Sequence, residues 1–536
     1  MASPETHRVV FTPSGKRGDI PAGTNLLDAA RQLGVDLDSV CGGRSICGRC
    51  QIEAGIGNFS KFGITVKAED LPPIGEAEER YRNKRGMEEG RRLACQYKVL
   101  TDMVVDVPAD SQVHQQVIRK RAEAREISIM PIVRPCYIEV AEPDMDHPSG
   151  DMERIMTALQ DQWDITIGKF GPYILPIVQS ALREGNWKVT VAVRDDTELL
   201  WIWPGFVPHL FGAAVDVGST TISVHLTQLD TGEVLTSVGA MNPQIRFGED
   251  LMSRVSYVMM NPGGDKELTA AVRKTLNHLC DNAIHEAGIA QSHVMEMVLV
   301  GNPVMHHLVL GLNPVELGWA PFALTTNSAL TLRIQDLDIV AINASAYGYF
   351  LPCIAGHVGA DAAAVVLSEA PEQQEEMTLI VDIGTNAEII MGNKHKLYAC
   401  SSPTGPALEG AQISCGQRAA AGAIDRVRID AETLEARVHV IEVEPWSDED
   451  GFADAITTTG ITGLCGSGII EAIAEMFLAG ILDEDGNIRG ELVEKCPLIV
   501  PDGRTFSYII QEENPRIQIT QQDIRAIQLA KAALYA

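Results

Sequence analysis

Apolar and polar positions alternate in HRVVF near the start of the chain, as in a half-buried strand. PAGTNLLDAARQLGVDL then changes to a helical period. It predicts a helix with Thr24 as N-cap and Leu26, Leu27, Ala30 and Leu33 on one face. DMVVDVP reads as a closing strand, so the opening unit is expected over 1–108. After Pro108 the chain turns polar and helical in DSQVHQQVIRKRAEAREI, which predicts a solvated connecting helix over 109–126. From 127 to 206 the short strands IVRPCYIEVA, WKVTVAV and ELLWIWP surround a helix near Asp151 to Asp161, whose DMERIMTALQDQW has the acidic first turn of a helix start. This is a small α+β unit without a recognisable catalytic constellation.

The second half repeats one device. GAAVDVGSTTISVHLTQLDTG starts with an apolar strand, Ala213 to Val215, and runs through Asp216, Gly218, Ser219, Thr220 and Thr221 into a second strand and a turn at Asp230 to Gly232. LIVDIGTNAEIIMG repeats the pattern 166 residues later, with Asp382, Gly384, Thr385 and Asn386. Two copies predict two related halves facing one cleft, lobe 1 over about 207–375 and lobe 2 over about 376–536. Two other stretches carry candidate backbone contacts. In TTTGITGLCGSGIIEAIAEMFLAGIL, Gly463, Gly466 and Gly468 precede an amphipathic helix; in SSPTGPALEGAQISCG, Gly405 and Gly410 can line the cleft. For the first stretch, an anion contact and a tight packing turn are equally open readings.

Composition changes this picture little. The 536 residues suggest three or four domains, and 45% apolar with 21% charged residues is ordinary for a soluble chain. The most apolar region, Tyr347 to Leu367, is broken by Pro352, His357 and Asp361, so no membrane span is expected. MASPETHRVVF has no apolar stretch long enough for a signal peptide, and a cytoplasmic location is expected. Charge excludes more. The net charge is −29, yet residues 1–107 balance at 15 basic and 15 acidic, so the acid excess lies in the rest of the chain. That argues against nucleic acid as a partner, since phosphate backbones need basic patches.

Eleven cysteines are too few for a disulfide scaffold of this length. Cys136, Cys280, Cys353, Cys400, Cys415, Cys465 and Cys496 are isolated and read as small buried hydrophobes. The other four share a pattern. VCGGRSICGRCQIEAG places Cys41, Cys47 and Cys50 at C-x5-C-x2-C, and RRLACQYKV adds Cys95. Plant-type [2Fe–2S] ferredoxins use C-x4-C-x2-C and a distant fourth cysteine. The one extra residue here is as in the adrenodoxin-like branch of that fold. Gly43 and Gly48 allow the chain to turn thiolates and N–H groups toward one centre. Zinc and purely structural thiols are the alternatives, but a zinc knuckle wants two close pairs or histidine partners. Strand, helix, cysteine loop and strand resemble the β-grasp ferredoxin fold.

Each aspartate turn offers hydroxyls and backbone N–H groups to a phosphate chain, with a carboxylate at a strand end that can hold Mg²⁺ through water. The pair resembles the phosphate loops of the acetate and sugar kinase, Hsp70 and actin superfamily.

The whole arrangement, with NPQIRFGEDLMSRV, VGNPVMHHLVLG, VDIGTNAEI and SSPTGPALEGAQI, resembles the reductive activators of corrinoid-dependent enzymes. The fold class so implied is multidomain α/β: a β-grasp [2Fe–2S] ferredoxin, a small α+β middle domain and a two-lobed actin-like ATPase. The implied activity is ATP-dependent one-electron reduction of Co(II) to Co(I) in a corrinoid methyltransferase protein. Its cofactors would be a [2Fe–2S] cluster on Cys41, Cys47, Cys50 and Cys95, ATP and Mg²⁺, with Asp216 and Asp382 catalytic. A low-potential electron donor is a further implied partner, and a homodimer is one option for the assembly. A ferredoxin centre near −400 mV is a weaker donor than Co(II)/Co(I) demands, and each 100 mV uphill costs about 2.3 kcal/mol per electron, which nucleotide-driven conformational work would offset. Actin-like chains usually finish lobe 2 with a Gly-Gly turn that holds adenosine, then a last helix. This sequence ends in IRAIQLAKAALYA without one, so lobe 2 is expected to lack its C-terminal end. Two alternatives stay open: an electron-transfer scaffold with an inactive ATPase fold, and a small-molecule kinase with a fused redox module.

Overall fold

The computed structural model describes all residues except 1–4, 13, 36, 40, 42–44, 60–61, 109–110, 113–126, 147, 249, 411–412, 418, 420, 458–459, 513–514 and 536, and the side chains of 406 and 409. Gly43 and all but Ser111 and Gln112 of the expected connecting helix lie outside the described residues. The chain divides into two compact units. One comprises Met1–Ile118, Pro243–Gly264 and Ala370–Ala536; the other comprises Arg119–Asn242 and Asp265–Glu369.

In the first unit, β1 (Thr6–Thr12) and β2 (Arg17–Pro21) form a hairpin, followed by α1 (Leu26–Gln32). The cysteine loop leads into β3 (Gln51–Ala54). A side hairpin of β4 (Gly57–Phe59) and β5 (Ile64–Val66), helix α2 (Glu76–Arg85), β6 (Arg91–Leu93) and β7 (Met103–Asp106) complete a β-grasp ferredoxin. The five-stranded sheet runs β2-β1-β7-β3-β6, with β1 and β7 parallel. Apolar positions of HRVVF and DMVVDVP bury Val9, Phe11, Met103 and Val105, and α1 buries Leu26, Leu27 and Ala30. The cap of α1 differs from expectation. Asn25, not Thr24, accepts the Asp28 N–H, at 2.9 Å, because the Thr24 hydroxyl donates back to the Pro21 carbonyl at 2.7 Å. Leu33 is the C-cap and only half-buried.

In the second unit, β8 (Val133–Glu139), α3 (Asp151–Trp163), β9 (Lys169–Phe170), α4 (Leu175–Glu184), β10 (Lys188–Arg194) and β11 (Glu198–Pro204) form a sheet ordered β8-β10-β11-β9. Ile155, Leu159, Val178 and Leu182 of the two helices share a core with Ile138 and Val191 of the sheet. The opposite face joins Ala192, Leu200 and Trp203 to Met295 of lobe 1. Lobe 1 opens with β12 (Phe211–Val217), β13 (Thr221–Gln228) and β14 (Val234–Met241). Helix α5 (Leu251–Met260) falls within Pro243–Gly264, and α6 (Gly264–Ala287) returns the chain to lobe 1. There β15 (Val294–Gly301), α7 (Pro303–Leu310), β16 (Leu330–Arg333), β17 (Tyr347–Phe350) and α8 (Ala360–Glu369) follow, with sheet order β14-β13-β12-β15-β17-β16.

Lobe 2 belongs to the first unit and repeats the meander as β18 (Thr378–Ile383), β19 (Ala387–Asn393) and β20 (Lys396–Ser402). The later strands are β21 (Ala423–Ile429), β22 (Ala436–Val440), β23 (Gly463–Leu464), β24 (Ile499–Asp502), β25 (Thr505–Gln511) and β26 (Ile517–Thr520). They form sheets β22-β21-β23 and β24-β25-β26 around helices α9 (Phe452–Ala455), α10 (Gly466–Leu478) and α11 (Gln521–Tyr535). The two meanders match, but their sheets are unequal. β12 continues into parallel β15, whereas β18 among the described residues pairs with β19 alone and leaves Leu379, Val381 and Ile383 exposed. Five of the seven isolated cysteines are buried as expected. Cys400 is exposed, and Cys415 is half-buried with its thiol toward the Arg516 carbonyl at 3.8 Å. Among the described residues no helix is long and apolar enough to cross a membrane.

Candidate cluster loop and nucleotide turns

The cysteine loop is held from both ends by strands. Cys50 immediately precedes β3, and Cys95 follows β6 by two residues; β3 and β6 pair antiparallel, with Gln51 opposite Leu93. Cys41, Cys50 and Cys95 are buried and Cys47 is half-buried. The Cys50 thiol hydrogen-bonds Cys95, and Ser45 Oγ lies 3.6 Å from Cys95 Sγ. These two contacts, led by the Cys50 bond, lower the pKa of the Cys95 thiol. The donor, Cys50, is pushed upward by the same bond and by burial. Gly48 has φ of +67°, which favours glycine, and a Cβ there would meet the Tyr81 hydroxyl of α2 at 1.8 Å.

Among the described residues no three His, Cys, Asp or Glu side chains gather as around a single metal ion. A [2Fe–2S] centre takes two thiolates on each of two irons, so its ligands form pairs. An all-cysteine, largely buried donor set with a hydrogen-bonded Cys50–Cys95 pair fits such a centre.

Glu78 was not legible as a site residue. It is fully buried on α2 and accepts from Arg92 Nε at 2.9 Å, Arg92 Nη2 at 3.0 Å and the Leu93 N–H at 2.8 Å. It thereby clamps α2 to β6, the strand that presents Cys95. The sequence signal was a glutamate on an otherwise solvated helix, which nothing distinguishes from its neighbours Glu76 and Glu79.

In lobe 1, Asp216 sits on β12 opposite Ser223 and beside Val300 of β15. The turn after it is narrow. The Gly218 N–H donates to the Thr221 carbonyl at 3.0 Å, and a Cβ on Gly218 would meet that oxygen at 2.6 Å. The glycine amide therefore closes the hairpin. Two asparagines missed in the sequence brace the turn. Asn242 Nδ2 donates to the Gly218 carbonyl at 2.8 Å and the Asn242 N–H to the Thr220 carbonyl at 2.8 Å. Asn302 Nδ2 reaches Ser219 Oγ at 2.9 Å while its own oxygen caps α7. Both precede proline, in NPQIRFG and GNPVMHH, and an Asn-Pro pair before a helix was the available signal. Gly301 lies against the Val217 carbonyl, and Gly359 against Gly301 and Asn302.

In lobe 2, Asp382 is paired with Glu388 across the β18–β19 hairpin, and the Gly384 N–H closes the turn onto the Asn386 carbonyl at 2.9 Å. Thr404 plays the bracing part: its hydroxyl reaches the carbonyls of Gly384 at 2.7 Å and Thr385 at 2.9 Å. Gly405, with φ of +72°, continues the brace through its N–H to the Thr385 carbonyl at 3.0 Å. The third glycine stretch differs from expectation in placement. Gly466 and Gly468 stand inside the first turn of α10, not before it, and Gly463 is in β23. A Cβ on Gly468 would meet the Ile424 carbonyl at 2.2 Å, and one on Gly463 the Cys415 carbonyl at 2.8 Å. Close packing of α10 on β21 explains Gly468, and close approach to the Cys415 carbonyl and Gln417 explains Gly463. Gly410, with φ of +85°, presses on the Gln417 backbone.

Four family models match the chain. The 2Fe-2S iron-sulfur cluster binding domain matches residues 11–100. The RACo linker region matches 122–208, the RACo middle region 211–373, and the C-terminal domain of RACo, the ASKHA domain, 376–536. The chain belongs to the RACo family, the reductive activators of corrinoid-dependent enzymes. Its RACo segments follow one another in order behind the cluster domain. A curated relative, the corrinoid activation enzyme RamQ of Eubacterium limosum, is 29% identical over 98% of this chain and 82% of its own. The [Co(II) methylated amine-specific corrinoid protein] reductase of Methanosarcina barkeri is 25% identical over 61% of this chain and 58% of its own. A solved structure, the reductive activator for corrinoid,iron-sulfur protein, has a TM-score of 0.66 and 29% identity, covering 99% of this chain and 82% of its own. The RACo assignment brings a 2Fe-2S domain and a nucleotide-binding ASKHA fold into one polypeptide.

Proposed function

We propose that this protein is an ATP-dependent reductive activator of a corrinoid methyl-transfer protein. Co(II) of the partner's corrinoid gains one electron and becomes Co(I), while ATP and water become ADP and phosphate. When bound, the [2Fe–2S] cluster supplies one-electron transfer at low potential, and a low-potential donor restores its electron. Cys41, Cys47, Cys50 and Cys95 would hold it as thiolates. Asp216 and Asp382 would hold Mg²⁺ through water, and Ser219, Thr220, Thr221, Thr385 and Asn386 would face the phosphates from turns kept narrow by Gly218 and Gly384. Gly405, Gly463, Gly466 and Gly468 would supply backbone beside the nucleotide. A cytoplasmic setting fits a chain whose cysteines are all free thiols.

The observation that carries this reading is the union of a 2Fe-2S domain with three consecutive RACo segments. The test is reduction of a cognate Co(II) corrinoid protein by a low-potential reductant, followed by Co(I) absorbance. Mg-ATP is expected to raise its rate or yield, and the corrinoid protein to stimulate ATP hydrolysis. Identical Co(I) formation with and without ATP, and no stimulated hydrolysis, would favour the scaffold reading.

A further inference from the structure

Segment Pro243–Gly264 stands between two strands of lobe 1 in sequence, yet it is part of the compact unit that contains the cluster domain. Its contacts explain why. The Arg246 guanidinium pairs with Glu53 of β3 and stacks on Phe247 at 4.6 Å. Phe247 meets Tyr257 at 4.8 Å, and Tyr257 meets Phe59 of β4 at 6.0 Å. Asn261 accepts the Asn58 N–H at 3.0 Å and donates to the Asn58 carbonyl at 3.4 Å, an edge pairing between α5 and the side hairpin.

The segment is braced internally, so it can move as one body. Asp250 caps α5 by accepting the Ser253 N–H at 2.7 Å. Arg254 is wholly buried, donating to the Gly248 carbonyl at 2.9 Å and to Gln244 Oε1 at 3.3 Å. At its N-terminal end the segment is bonded covalently to Asn242, the residue that braces the Gly218–Thr220 turn. At its other end lies the rung where Arg246 acts. Glu53 is the register partner of Arg91 on β6, with Arg91 Nε at 3.1 Å, and of Asp106 on β7. Glu53 is three residues from Cys50, and Arg91 is four from Cys95. One rung therefore joins the two strands that present the hydrogen-bonded cysteine pair.

We infer that Pro243–Gly264 is the tie by which the state of the lobe 1 nucleotide turn reaches the cluster ligands, with Arg246 a positioning residue for Cys50 and Cys95 acting through Glu53 and Arg91. This rests on the activator reading above. A nucleotide that shifts the Gly218–Thr220 turn shifts Asn242 with it, and a rigid segment carries that displacement to the β3–β6 rung. Small changes in ligand placement and in the N–H groups around the thiolates are what tune an iron–sulfur centre.

The test uses the full-length, cluster-loaded protein in three states: no nucleotide, Mg-ADP, and a non-hydrolysable Mg-ATP analogue. Three quantities are measured in each: nucleotide affinity, the reduction potential and EPR line shape of the cluster, and hydrogen exchange of residues 51–55 and 91–97. In the wild type, nucleotide is expected to change exchange in both strands by about fivefold or more and to shift the EPR signal. Arg246→Met and Glu53→Gln should each abolish these responses and leave nucleotide affinity unchanged, and Arg246→Lys should restore part of them. If Arg246→Met loses its fold, Glu53→Gln interrogates the same contact from the other side. Full responses in Glu53→Gln, or a wild type whose strands and EPR signal ignore nucleotide, would overturn the inference. The outcome is separable from the activator reading. ATP-accelerated Co(I) formation with a nucleotide-blind cluster sinks the tie alone, whereas nucleotide-responsive strands with no ATP effect on cobalt sink the reading and leave the tie standing.

Discussion

Glu78 and Arg92 form a two-point ion pair, Nε to Oε1 at 2.9 Å and Nη2 to Oε2 at 3.0 Å, with Glu78 fully buried. Removing one partner of a buried pair strands the other, at about 3–5 kcal/mol. Glu78→Ala should therefore destabilise the cluster domain by that order and free β6 from α2. Urea titration followed by bleaching of the cluster absorbance should show an earlier midpoint in the variant. An unchanged midpoint would mean that the pair does not hold β6.

The four candidate ligands should be equivalent in one respect. Cys41→Ser, Cys47→Ser, Cys50→Ser and Cys95→Ser should each lose the native [2Fe–2S] EPR signal, and anaerobic wild type should contain about two irons per chain. Cys465→Ser should keep the centre, since this buried cysteine caps α10 in lobe 2. A colourless wild type with one zinc would refute the cluster assignment.

The nucleotide turns give a graded series. Asp216→Ala and Asp382→Ala should abolish Mg²⁺-dependent hydrolysis in a folded, cluster-loaded protein. Thr404→Val keeps the shape but loses a hydroxyl that bonds two carbonyls of the lobe 2 turn. A hydrogen bond of this kind contributes about 1 kcal/mol, so nucleotide affinity by calorimetry should fall roughly fivefold to tenfold. Unaltered affinity would show that the lobe 2 turn does not touch nucleotide.

Glu296 predicts a pH effect far from any chemistry. Burial raises its pKa from 4.5 to about 7, and Arg194, at 3.8 Å, offsets this only partly. The carboxyl is neutral in the folded protein until about pH 7 and ionises earlier when unfolded. Its contribution is thus fully present below pH 4.5 and is lost as pH rises to about 7. Over that window the wild type should lose stability on the order of 3 kcal/mol relative to Glu296→Gln, and above it the two curves should run parallel. Unfolding midpoints from pH 4.5 to 8.5 check this; a constant difference across the series would contradict it.

Sequence alone determined the local devices. Alternating strands, the C-x5-C-x2-C loop with its distant Cys95, and both strand–Asp–Gly–hydroxyl turns depend on neighbours within a few residues, where side-chain period and backbone torsion decide the outcome. The cap of α1 was misplaced by one residue because Thr24 and Asn25 are both good caps, and only the folded turn at Pro21 engages the Thr24 hydroxyl. Partners remote in sequence were decided by tertiary structure. Glu78 looks like any exposed helix glutamate until β6 brings Arg92 beneath it. Gly468 reads equally as an anion contact or a packing turn until the Ile424 carbonyl lies where its side chain would be. Pro243–Gly264 reads as part of lobe 1 until Arg246 meets Glu53, 193 residues away. Periodicity reports which face of an element is apolar; which element covers that face, and which charge meets which, depends on long-range packing that no local pattern encodes.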